Sequence, residues 1–199
     1  MIVSREEGER RLRPYFERLA EAIHDGDRRL AGVLGDQKHR FKSRSLSSNR
    51  NDFVVSEARR IFEDDPTVRF EMRHGRDIMH IGDDAVVLFK KLDRSRRTRN
   101  APTQLALKLF GQQPLNEMPA ETPRFVAGWQ MDTLGIGIQV IMITHPNPFG
   151  VEWAIPLDDQ LAAAKTAQIT PQPVQEQPAP RIHKKEVSDA DERSISSFG

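Results

Sequence analysis

The chain contains no cysteine, which excludes a disulfide-stapled secreted scaffold, a thiolate zinc site and a cysteine nucleophile together. A reducing compartment suits that composition. No apolar run approaches the ~20 residues of a transmembrane helix, and Met1 to Arg13 alternate charges where a signal peptide carries an apolar stretch. The expectation is a soluble, cytoplasmic protein with no membrane partner. An excess of charge of one sign is missing too. Thirty Lys and Arg stand against 29 Asp and Glu, a net of +1, and that balance alone argues neither for nor against nucleic acid.

What is present divides by position. From Thr166 onward, Pro171, Pro173, Pro178 and Pro180 stand among glutamines and give way to a mixed charged stretch. Such a composition buries too little apolar area to offset its ordering entropy. Residues 166–199 are therefore expected to be a disordered tail, either a solubilising terminus or a segment that a protease grasps first. Residues 1–165 are expected to form a single domain, as 199 residues suggest. Within them the apparent neutrality dissolves. Lys38, Arg40, Lys42, Arg44 and Arg50 face Asp36 alone, and Lys90, Lys91, Arg94, Arg96, Arg97 and Arg99 face Asp93 alone. The rest of the domain is acidic.

Ser4 followed by Glu7 is a capping-box pattern, and Leu12, Tyr15, Phe16, Leu19, Ala22 and Ile23 recur at three- and four-residue spacing. An amphipathic helix over 4–34 follows, with a break expected near Asp25-Gly26-Asp27. Residues 43–52 read as a polar loop, and Val54 to Phe62 as a short second helix that stops before Pro66. The period then changes from about 3.6 to about 2. Val68, Phe70 and Met72 alternate with charges and pair, as a hairpin, with Ile78 to Ile81; Ala85 to Phe89 suits a more fully buried strand. Phe125 to Met131, Ile136 to Thr144 and Val151 to Leu157 supply further strands between turn residues. The fold class is α+β, N-terminal helices followed by a mainly antiparallel sheet of about five or six strands.

Enzyme signatures are sparse. His74, Asp77, His80, Asp83 and Asp84 can gather as metal ligands, although hairpin turns explain the same aspartates. Asp64 and Asp65 lie near Glu71, but no Glu-x-Lys completes the common nuclease triad, and Gly-x-Ser-x-Gly, phosphate-loop and His-Glu-x-x-His patterns are absent. Trp129 and Trp153 fall on strands, as core residues or as base-stacking platforms. No catalytic residue, cofactor or metal is expected, and the reading is non-enzymatic.

The connection over 93–123 fits neither helical nor strand periodicity, and compact domains rarely hold loops beyond ~12–15 residues without a functional reason. It begins with the second basic run, ends among Pro114, Pro119 and Pro123, and holds an apolar island, Gln104 to Gly111. Gln104, Leu107, Leu109 and Phe110 match the Gln-x-x-Leu-x-Leu-Phe peptide by which bacterial polymerases and repair proteins dock on the DNA polymerase III β sliding clamp (DnaN). The logic suits a linear motif. A glutamine amide both donates and accepts and so fixes register, while leucines and phenylalanine fill an apolar groove. Two alternatives remain open: a short core helix capped by Thr103 and Gly111, or a strand with Leu105, Leu107 and Leu109 on one face.

In its size, its lack of enzyme signatures and this heptad, the chain resembles the SocB type of toxin. That resemblance implies a toxin of a toxin-antitoxin system that occupies the clamp groove, competes with polymerase and blocks replication elongation. It also implies a cognate antitoxin that acts as a proteolytic adaptor and presents the toxin to the ClpXP protease for degradation. The alternatives are a clamp-recruited replication or repair accessory factor, and a nucleic-acid-binding or nuclease domain whose heptad is core. Arg94, Arg96, Arg97 and Arg99, just before the peptide, are candidates for salt-dependent contact with DNA or with the clamp's acidic surface; as a group, both basic stretches also read as solvated loops.

Overall fold

Three helices lead into six strands in a computed structural model that describes residues 2–73, 75–98, 108, 110–112 and 122–157. Helix α1, Arg5–Leu12, starts where the Ser4 hydroxyl accepts the Glu7 N–H at 3.2 Å, with Glu6 and Glu7 in its first turn and Arg10 and Arg11 in its last. This arrangement complements the helix dipole at both ends. A single 3₁₀ turn, Arg13–Tyr15, follows before α2, Phe16–Leu34. The interruption falls at Pro14 rather than at Gly26, because proline lacks the N–H that a continuous helix would use. Gly26 lies inside α2 for packing: a Cβ there would come within 2.6 Å of the Val54 backbone.

Helix α3 spans Ser43–Ile61 and so absorbs the stretch expected to be a polar loop. Its apolar face begins only at Val54, but its earlier turns are held by charge. Arg50, 3% exposed, donates to Asp27 of α2 at 2.7 Å. Farther along, Glu57 accepts from Arg29 of α2 and from Arg60. Charged pairs substitute for the apolar periodicity by which a helix is normally read.

The strands are β1 Val68–Arg73, β2 Arg76–Ile81, β3 Ala85–Lys91, β4 Arg124–Met131, β5 Ile138–Asn147 and β6 Gly150–Pro156. They form one sheet in sequential order, antiparallel throughout except for the parallel pair β3–β4. Mixed α+β architecture and a mainly antiparallel sheet are thus present. One sheet face carries Val87, Phe89, Phe125, Ala127, Trp129 and Ile143 in a core shared with Leu19, Ile23, Val54 and Ala58 of the helices. The opposite face carries a smaller apolar strip, Ile78, Val86, Leu88, Val126 and Met142. Central strands are apolar on both faces for that reason, and β3 is buried from Ala85 to Phe89.

The parallel pair explains the long connection. Parallel neighbours cannot be joined by a tight turn; a crossover of about a dozen or more residues must pass over one face of the sheet. Its described part, Lys108 and Phe110 to Gln112, lies on the second face, where Phe110 packs against the apolar strip. The tail, residues 166–199, is outside the described residues.

Candidate functional site

Of the four docking positions, Gln104, Leu107 and Leu109 fall outside the described residues. Phe110 is half-buried against the strip of Ile78, Val86, Leu88, Leu92, Val126 and Met142, whereas Lys108 is exposed. Arg124, at the start of β4, is fully buried and donates from its guanidinium to the Lys108 carbonyl at 3.2 Å. Two residues beyond Phe110, the buried Gln112 side chain bonds Arg124 and Pro146. The phenylalanine expected to anchor the chain in a partner's groove thus rests on the chain's own sheet, with its neighbours clasped to β4. Part of the length that looked functional in sequence is required by the crossover between parallel strands.

The second basic stretch is a tight turn. Asp93 N–H donates to the Arg97 carbonyl at 2.9 Å, and Asp93 Oδ1 accepts from the Ser95 and Arg97 N–H groups at 2.8 and 3.0 Å. Arg96 takes a left-handed backbone, φ 62°. Arg94, Arg96 and Arg97 are exposed on this turn; Arg99 lies outside the described residues.

Beside the turn opens a cleft of about 770 Å³. Its floor is the C-terminal ends of the parallel pair, with Lys91 ending β3 and Leu92 following it, and Gln130 and Met131 ending β4. Ser43, Arg44 and Ser47 from the first turns of α3 form one wall, and Arg94 and the 132–135 turn form others. Both acids of the cleft are occupied by main chain. Asp93 caps its own turn, and Asp132 accepts the N–H groups of Ile136 and Gly137 at 2.9 and 3.0 Å. Those backbone bonds, Ile136 foremost, hold the Asp132 carboxyl below the ordinary carboxylate range. Arg44 and Arg94 make no ion pair among the described residues.

The histidine and acid cluster does not converge. Asp77 pairs with Arg59 at 2.8 Å, and His80 meets Glu71 at 3.1 Å beside Arg69 and Arg73. His74 is outside the described residues, and among those described no three metal-ligating side chains gather. Asp65, the apparent nuclease acid, binds Arg18 at 2.7 Å and Thr67 instead. Trp129 is fully buried, and Trp153 packs on Phe125 and His145 while its indole N–H donates to the Val3 carbonyl at 3.0 Å. Both are core residues rather than stacking platforms.

Gln112, Arg124 and His145 form a buried polar chain that periodicity does not reveal. His145 Nδ1 donates to the Arg124 carbonyl at 3.1 Å, while its Nε2 accepts the Val3 N–H at 3.2 Å. This pairing needs the neutral ring, and burial pushes the His145 pKa down accordingly. Neither a family model, nor a curated protein, nor a solved structure matches the chain.

Proposed function

We propose that the chain is a non-enzymatic inhibitor of DNA replication elongation that acts in the bacterial cytoplasm by docking residues 104–110 on the β sliding clamp. The observation that carries this reading is the match of the sequence at all four defining positions, Gln104, Leu107, Leu109 and Phe110. Gln104 fixes register, Leu107 is the central apolar contact, and Leu109 with Phe110 anchor the peptide in the clamp groove in competition with polymerase. The antitoxin adaptor and ClpXP follow as partners from the SocB resemblance.

Docking requires Phe110 to leave the sheet. Re-exposing a half-buried phenylalanine costs about 1–2 kcal/mol, so a free peptide of the same sequence binds the clamp roughly tenfold more tightly than the whole chain. Capture of the chain on purified clamp, compared with a Gln104→Ala, Leu109→Ala and Phe110→Ala variant, tests the reading. Binding that the variant loses supports it; wild-type protein that ignores the clamp sinks it. Growth arrest on overexpression, relieved by Gln104→Ala, marks an inhibitor, whereas tolerated overexpression with intact clamp binding marks a recruited accessory factor.

The packing of Phe110 favours a second reading, in which the heptad covers the second sheet face and the domain binds nucleic acid through other residues. On that reading Phe110→Ala lowers the unfolding free energy by about 2–3 kcal/mol, and clamp capture is never seen.

A further inference from the structure

The two basic stretches, far apart in sequence, meet at one cleft. Arg44 from the first and Lys91 and Arg94 from the second line the same ≈770 Å³ space, a volume within the ~300–1,000 Å³ of small-molecule sites. Arg44, Lys91 and Arg94 stand there against Asp93 and Asp132, three cations to two carboxylates, which leaves the lining cationic by one charge. Asp93 and Asp132 spend their carboxylates on main-chain N–H groups of their own turns, while Arg44 and Arg94 remain exposed with no ion-pair partner among the described residues. Arg18, Arg29, Arg50 and Arg59, by contrast, are each paired with a carboxylate.

Helix α3 adds to the same potential. It enters the cleft with no acidic residue in its first turn and no side-chain cap from Lys42, so its early N–H groups and positive dipole end stay uncompensated. The site also has an apolar side. Leu92 is buried at the floor, Met131 is half-buried, and Leu134 stands 78% exposed at the rim. A cationic end facing an apolar wall suits a ligand that carries both characters.

We propose that this cleft binds a phosphorylated ligand of nucleotide size, with Arg44, Arg94 and the first turn of α3 holding the phosphate and Leu92, Met131 and Leu134 the apolar ring. The phosphate belongs either to a free nucleotide or to a nucleic-acid strand. Arginine serves this role by presenting a planar fork of donors to phosphate oxygens. The inference does not rest on residues 104–110, so clamp capture and ligand binding succeed or fail separately.

The test is calorimetric titration of the full chain with ATP, with a single-stranded DNA 20-mer and with inorganic phosphate. The variants are Arg44→Gln with Arg94→Gln, and, as an equal charge change away from the cleft, Arg13→Gln with Arg28→Gln. ATP or the 20-mer should bind saturably, the cleft variant should lose about tenfold or more in affinity, and the control should change by less than about twofold. Melting temperatures should be unaltered. Tighter binding of ATP assigns a free nucleotide and tighter binding of the 20-mer a strand, each in support. No saturable binding of any probe, or an equal loss in the control, overturns the site. Inorganic phosphate binding as tightly as ATP overturns the assignment of a nucleotide-sized ligand.

Discussion

The side-chain amide of Gln112 bonds both main-chain groups of Arg124, accepting its N–H at 3.1 Å through Oε1 and donating to its carbonyl at 2.9 Å through Nε2. A second Nε2 hydrogen reaches the Pro146 carbonyl at 3.1 Å. One side chain thus does for the first residue of β4 what a neighbouring strand does for the rest, and it ties the crossover to β4 and β5. The amide has one satisfying orientation, since Nε2 faces two carbonyls and Oε1 faces an N–H.

Replacing Gln112 with alanine strands the Arg124 N–H in a buried position and should cost about 2–3 kcal/mol. Gln112→Glu should cost at least as much, because a carboxylate oxygen then faces two carbonyls. Urea unfolding with an unchanged slope is the measurement. A Gln112→Glu protein as stable as wild type would show that the amide is not needed.

Two glycines of α2 should respond with opposite signs. A methyl group added at Gly32 would meet nothing within 4 Å, so Gly32→Ala should stabilise by about 0.5–1 kcal/mol through helix propensity alone. Gly26→Ala gains the same propensity but drives its methyl to 2.6 Å from the Val54 backbone, and overpacking of this kind costs about 1–3 kcal/mol. The comparison by thermal unfolding separates packing from propensity, and equal stabilisation by both would contradict the close approach of α2 and α3.

The contact between Asp27 and Arg50 should be strongly asymmetric under mutation. Asp27→Ala leaves a guanidinium at 3% exposure without its carboxylate and should cost about 3–5 kcal/mol, whereas Asp27→Ala combined with Arg50→Leu should recover most of that loss. A double variant no more stable than the single one would mean that Arg50 has a second structural role.

Stability should fall between neutral pH and pH 5. His145 and His80 both have pKa values lowered chiefly by burial. Each folded value therefore lies below the ordinary histidine value of about 6.5, and between the two the unfolded chain binds more protons. Their contribution is complete above about pH 6.5 and is lost as pH falls through the folded values. Glu57, held low first by Arg29, adds its loss only below the ordinary glutamate value of 4.5, so a measurement at pH 5 isolates the imidazoles. Asp52, raised by burial, acts in the opposite sense at low pH. His145→Gln should shrink the difference in urea midpoint between pH 7.5 and pH 5; an unchanged difference would remove His145 from the account.

Regular patterns made most of the fold legible. The run Ala85 to Phe89 is a direct image of a fully covered strand, and Val68 and Phe70 are half-buried on β1 as their alternation suggests, but Met72, the third apolar position, is exposed. Elements stabilised by charge were not legible in the same way. The first half of α3 reads as a loop because Arg50 reaches Asp27 where an apolar residue would usually pack. The parallel β3–β4 pairing leaves no local mark, which is why the length of 93–123 reads as functional when the sheet itself demands a crossover. The cations of the cleft are plain in sequence, but their convergence is not, since it depends on α3 beginning at Ser43. Gln112 and His145 bond across separations of 12 and 142 residues, beyond the reach of any local pattern.

The Val3 contacts also order events in time. Its N–H and carbonyl are taken by His145 and Trp153, and α1 seats against the Trp153 ring at Gly8, where any side chain would overlap the indole. A chain emerging from the ribosome makes α1 first, yet its docking site is built only when β5 and β6 have been synthesised. Such sequence-distant closure pays its loop entropy before any contact rewards it, so α1 should be the last element to gain protection from hydrogen exchange during refolding.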